Sequence, residues 1–201
     1  MSVRLYDDAI VEKVKSWIID KDLKVLSPDD TARLFQMKAD INYDEPLKLP
    51  LIAISRDPGI ELGYKHKKPM SFDGMMLDAN YSKSLQIDAI PMTLSYQLDI
   101  YTRYTYEADE YMRNFIFNFV NHPKIKVHLP YNGVDYEHWG NINLASTIED
   151  NSDVPQRLFP DQFVRWTIRF TIDDAYMFSL PYKDNVHVVD TKDDIILNKG
   201  E

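Results

Sequence analysis

Three groups of side chains in the 201-residue sequence have the types needed for chemistry. The first is a histidine pair. Of the five histidines, His128 and His138 flank a common turn signal, Asn132-Gly133, and a hairpin there sets two imidazoles facing each other. With Asp135 or Glu137 as a third ligand this spacing would suit zinc, and without one it is two outward residues on an exposed hairpin. The second group is acidic: Asp150, Asp153 and Asp161, or Asp173-Asp174, as hard oxygen ligands for calcium. That segment lacks the alternation and the glycine of a calcium loop, and clustered Asp, Asn and Ser commonly hydrogen-bond their own backbone in turns. The third is Asp22-Leu23-Lys24, the tail of a nuclease-type acid-x-Lys motif with no upstream acid on a strand to partner it. Phosphate-cradling glycine loops, HExxH and GxSxG are absent. The cysteine count of zero removes thiol nucleophiles, thiolate zinc sites and disulfides together. No catalytic constellation emerges, so the chain is read as a non-enzyme with no cofactor and no metal.

Composition narrows the partners. The formal charge is −9, which argues against gripping a phosphate backbone, a task that needs clustered Lys and Arg. The opening MSVRLYDDAIVEKVKSW has charges throughout and no apolar core, unlike a signal peptide. No run approaches the roughly 18 apolar residues that a membrane span requires. A hydrophobic fraction of 44% with 12% aromatics is that of a folded domain.

The elements that would position these residues follow from periodicity. Ser2 can cap a helix whose apolar face is Tyr6, Ile10, Val14 and Trp17. Ser27-Pro28-Asp29-Asp30 signals a second start, with a capping serine, proline in the first turn and acids facing the dipole. Residues 49–55 read as a strand ended by Asp57-Pro58-Gly59. Residues 57–84, with Lys65-His66-Lys67-Lys68 and Met70, Met75 and Met76, read as an irregular loop or arm. From Ile90 to Ile100 every even residue is apolar, the pattern of a half-buried strand. A long helix follows over 105–121, capped near Thr105. Its stripe is Ala108, Tyr111, Met112, Phe115, Ile116, Phe119 and Val120, and Phe117 lies off it. Strands are predicted over 124–129, 136–139, 142–148 and 163–172, and residues 183–201 as a charged arm. The expected fold class is α+β: a mostly antiparallel sheet packed by one long amphipathic helix (105–121), with short N-terminal helices (3–38) and extended arms. The chain is taken as a single domain, 1–201, with a core of about 49–180.

More aromatic and methionine side chains are present than one small core needs. Tyr101, Tyr104, Tyr106, Phe117, Tyr176, Phe178 and Tyr182, with Met70, Met75 and Met76, are therefore the candidate interface residues. Such side chains are favoured where proteins meet.

The central block resembles bacteriophage tail-terminator proteins, the neck components that form a ring on top of the tail tube. The resemblance rests on Ser95-Tyr96-Gln97-Leu98-Asp99-Ile100-Tyr101-Thr102 and on Glu107-Ala108-Asp109-Glu110 opening the long helix. It continues through the hairpin and the Glu149-Asp150-Asn151-Ser152-Asp153 turn to Gln162-Phe163-Val164-Arg165-Trp166-Thr167. It implies a structural virion protein, assembled in the host cytoplasm, that forms a homo-hexameric ring. The ring would cap the tube protein, possibly contact the sheath, and join the head-side connector, with DNA passing through its lumen without specific binding. A ring of this kind places acids along that lumen, where they repel phosphate. Competing expectations are another head–tail adaptor or a baseplate-proximal component, and a metal-dependent nuclease.

Overall fold

The computed structural model describes residues 2–18, 20, 23–39, 48–63, 72–78, 80, 83–131, 133–152, 163–178 and 187–190. Its elements in chain order are α1 (Ser2–Ser16), β1 (Lys24–Leu26), α2 (Pro28–Ala39), β2 (Leu51–Leu62), β3 (Phe72–Asp78) and β4 (Lys83–Thr102). They are followed by α3 (Thr105–Asn121), β5 (Lys124–Tyr131), β6 (Val134–Asp150), β7 (Val164–Phe178) and β8 (His187–Asp190).

The 20-residue β4 is the spine. Ala89 pairs at once with Phe72 of β3 and Phe178 of β7, so those strands occupy opposite edges. By the same shared positions β2 and then β3 run along one edge of β4, and β7 and then β8 along the other. Beyond β7 comes β6, and β5 lies outside it. The sheet curls far enough that β3, on the far edge of β4, meets β6 through Leu77–Glu137 and Asp78–Tyr136. One pairing, β1 with β2, is parallel.

This architecture corrects the expected fold class. Among the described residues the protein is mostly sheet, a curled and mixed half-barrel with three short helices, and no single long helix covers an antiparallel sheet. A helix does occupy Thr105–Asn121, but it shares the covered face with α1. Long strands twist as they run, and a curled surface of this extent is wider than one helix of roughly 10 Å diameter. The half of the face near β5 is covered by α1, whose Tyr6, Ile10 and Val14 are fully buried, and Trp17 packs edge-on to Phe119 at 4.9 Å. The half near β4 and β7 is covered by Ala108, Phe115 and Phe119 of α3. The stretch 57–84 is also corrected. Strand β2 runs on to Leu62, β3 covers 72–78, and Asp57-Pro58-Gly59 is absorbed as a bulge. There, four steps along β2 from Arg56 to Ile60 match two steps along β4 from Tyr96 to Leu94.

Local chemistry explains the joints. The Ser27 hydroxyl accepts from the Asp30 amide at 3.2 Å and donates to the Asp30 carboxylate at 2.8 Å, which starts α2. Helix α3 is not capped by Thr105 as its sequence suggests. Tyr104 stands at its N-cap without a side-chain hydrogen bond, and the Thr102 hydroxyl donates to the Tyr104 carbonyl at 2.9 Å. Gly133 turns the β5–β6 hairpin with φ +76°, a conformation that favours glycine. On the other face of the sheet α2 closes a second, small core with Leu26, Leu51, Ala53 and Tyr101. Asp7 of α1, buried, accepts from Tyr96 at 2.9 Å and pairs with Arg56, fixing the helix to β4 and β2.

Candidate interaction surface

Helix α3 is apolar on two sides. Its buried side carries Ala108, Phe115 and Phe119. Its opposite side carries Tyr106, Asp109, Glu110, Arg113, Phe117, Val120 and Asn121, all exposed. At 100° per residue, Tyr106, Arg113, Phe117 and Val120 fall within about 60° of one another, so they form one stripe. Tyr106 is 64% exposed, Phe117 62% and Val120 62%, values that leave whole rings and a branched side chain in water. Tyr104, half exposed, stacks on Tyr106 with centroids 5.7 Å apart and extends the stripe past the helix start. The acids Glu107, Asp109 and Glu110 flank that end.

The predicted interface residues therefore separate. Tyr104 and Tyr106 stack at one end of this stripe and Phe117 lies further along it, with Arg113 between them. Tyr101 does not: it is buried in the small core, 5.8 Å from the Phe163 ring and beneath the Arg165 guanidinium. Phe178 is buried and Tyr176 half-buried, both beside His138. Met75 and Met76 lie in β3. Met70 and Tyr182 lie outside the described residues. Val120, assigned to the core stripe by sequence, faces water instead, because it sits 100° round the helix from Phe119. Ile60, Leu62 and Trp139 were missed. Ile60 and Leu62 end a strand beyond a Pro-Gly bulge that reads as loop, and Lys126 lies over the Trp139 ring at 5.8 Å.

The chemical candidates are dispersed. His128 pairs with Glu137 and Val127 with His138, so the one-residue offset turns the two imidazoles to opposite faces. His128 instead meets Asp135 at 2.7 Å. Asp173 and Asp174 each accept from an asparagine, Asn143 and Asn141. Asp150 accepts from the Ser152 amide at 3.0 Å and from its hydroxyl, a turn of the backbone-bonding kind. Asp22, Asp153 and Asp161 lie outside the described residues. Among the described residues no three His, Asp or Glu side chains converge on a point that would hold a metal. No helix among them is long and apolar enough to cross a membrane.

His138 carries a measurable consequence. Its ring is edge-on to Tyr6, Tyr176 and Phe178, and its Nε2 lies 3.1 Å from the Asp174 carbonyl. Burial lowers its pKa below the ordinary 6.5, outweighing the pull of Asp174 in the other direction. The folded state thus resists a proton that the unfolded chain accepts. Stability from this group is complete above about pH 6.5 and falls as pH drops toward the depressed folded value. Thermal melts between pH 7.5 and 5.5 should show a steeper loss for the native chain than for His138→Phe; equal slopes would refute the assignment.

No known family model matches the chain, and no curated protein matches it.

Proposed function

We propose that this protein is a structural subunit that assembles with copies of itself into a closed ring, acting as a phage tail terminator. In this role it caps the tail tube and joins it to the head-side connector in the virion. The observation that carries the reading is the aromatic stripe Tyr104, Tyr106, Phe117 and Val120 on the outer side of α3. A helix whose buried side already fills the core has no intramolecular need for a second apolar side. Large exposed aromatics aligned on one face of a helix mark sites of protein contact. The sequence resemblance through β4, α3 and β7 supplies the kind of particle.

Imaging the purified protein, alone and with isolated tail tubes, tests this. The expected result is a sixfold ring about as wide as the tube, seated on one tube end. A two-fold dimer, or tubes left uncapped at saturating protein, would count decisively against it. The net charge of −9 adds a second expectation, that the wall facing the channel is acidic and lets DNA slide.

A further inference from the structure

The outer side chains of α3 follow a spacing of their own. Between Tyr106 and Val120 the exposed residues are Tyr106, Asp109, Glu110, Arg113, Phe117 and Val120, and the rest are buried or half-buried. Asp109 apart, the steps between them are four, three, four and three, the repeat by which one helix lies along another. The stripe faces straight away from the subunit, because Phe115, fully buried, lies nine residues and so half a turn round from Tyr106. It also reads alike in both directions. Tyr106 and Phe117 are equally far from a midpoint between Tyr111 and Met112, and so are Glu110 and Arg113. An aromatic mirrors an aromatic, and an acid mirrors a base.

We propose that the outer face of α3 pairs with the same face of a second copy, antiparallel, about a two-fold axis at that midpoint. Tyr106 then meets Phe117 of the second copy at either end, and between them Glu110 meets Arg113 twice. Charge selects this arrangement. A parallel pair would set Glu110 on Glu110 and Arg113 on Arg113. An antiparallel pair shifted one step along the stripe sets Glu110 on Glu110, and a shift the other way sets Arg113 on Arg113. The register about the midpoint joins opposite charges and lays aromatic on aromatic. Tyr106 and Phe117, 64% and 62% exposed in the single subunit, are the anchors that lose water.

The inference goes beyond the ring reading and stands without it. A two-fold contact joins like to like and closes no sixfold ring by itself. In a ring it therefore joins subunits of two rings laid face to face, each ring being closed through another surface. One helix stripe is smaller than a standard interface of roughly 1,600 Å², so single chains pair weakly. Rings that present several stripes at once pair strongly.

Charge exchange tests this, read by sedimentation of the full chain over a concentration series. Arg113→Glu and Glu110→Arg should each weaken pairing at least about tenfold, because each sets like charges opposite one another. Mixed in equal amounts, the two variants should pair with each other at least as well as the native chain does with itself. The double variant should pair with itself as the native chain does. Phe117→Ser, at an exposed position, should weaken pairing at least about 30-fold while leaving the melting temperature unchanged. Stacked rings that part into single rings with Phe117→Ser would support the pairing and the ring together. A two-chain particle that Phe117→Ser dissociates would retain the pairing and reject the tail-terminator reading. Single rings in native and variant protein alike would overturn the pairing and leave the ring intact. Rings that fail to close with Phe117→Ser would assign the stripe to closure and overturn the pairing. A native chain that stays single at every concentration, or charge variants that do not rescue each other, would overturn it as well.

Discussion

Phe170→Ala is expected to lower the unfolding free energy by about 4 kcal/mol, read as a shift of the urea midpoint at unchanged slope. Phe170 lies on β7 with 1% of its surface exposed. Its ring stacks on Tyr96 of β4 at 5.5 Å with an 11° tilt, and meets Phe119 of α3 at 4.9 Å. Three elements therefore converge on one side chain. Removing it opens a cavity whose walls are held by paired strands on both sides, which limits collapse and places the cost in the upper part of the usual range. Phe117→Ala on the same helix is the matched control. Being exposed, it should change stability by no more than about 0.5 kcal/mol. A Phe170 cost below about 1.5 kcal/mol would mean that the stack is not the centre of the core.

Asp99→Ala should cost about 3 kcal/mol, through charge rather than volume. Asp99 is 2% exposed on the face of β4 away from the main core. Its carboxylate accepts four hydrogen bonds. They come from Arg165 Nε at 3.2 Å, Arg165 Nη2 at 3.0 Å, the Thr167 hydroxyl at 2.6 Å and the Gln97 amide at 2.9 Å. Burial alone would lower the Arg165 pKa, but the bonds and charge of Asp99 outweigh it and raise it. Deleting the carboxylate removes the hydrogen-bonded counter-charge of that cation and leaves it against Tyr101 with Glu149 as its remaining acidic neighbour. The double variant Asp99→Ala with Arg165→Met should recover part of the loss, because it removes the stranded charge as well. If the double variant is less stable than the single one by the full cost of Arg165→Met, the two residues do not act as a pair.

Much of the element content was legible in the sequence, and its limits are physical. The α1 face of Tyr6, Ile10, Val14 and Trp17 and the alternation through Ile100 were readable because one side of each element is buried and the other wet. Asp57-Pro58-Gly59 misled because a bulge uses the same residues as a turn, and only the partner strand decides between them. The sharing of one sheet face between α1 and α3 was not readable. Curl accumulates over strands of 15 to 20 residues and leaves no local signature. The candidate surface was half legible. Phe117 stood off the helical stripe and is exposed. Tyr101 looked equally available but is buried, because α2 and Phe163 cover a face that periodicity assigns to solvent. His128 and His138 show the finest limit, since one residue of register separates a shared face from opposite ones.

The position of β7 between β4 and β6 bears on how the chain comes into being on a ribosome. That strand is made after every described helix and after six of the eight described strands, yet it supplies most of the pairing that joins β4 to β6, the rest being the short contact of β3 with β6. Until residue 178 has emerged, one long edge of β4 and one of β6 stay open, and Phe170, the side chain on which both β4 and α3 close, has not arrived. Folding of the core is thus a late event in synthesis, set by pairings far apart in sequence and correspondingly slow. The nascent intermediate exposes open strand edges to other chains, and such edges are templates for pairing between chains until β7 covers them.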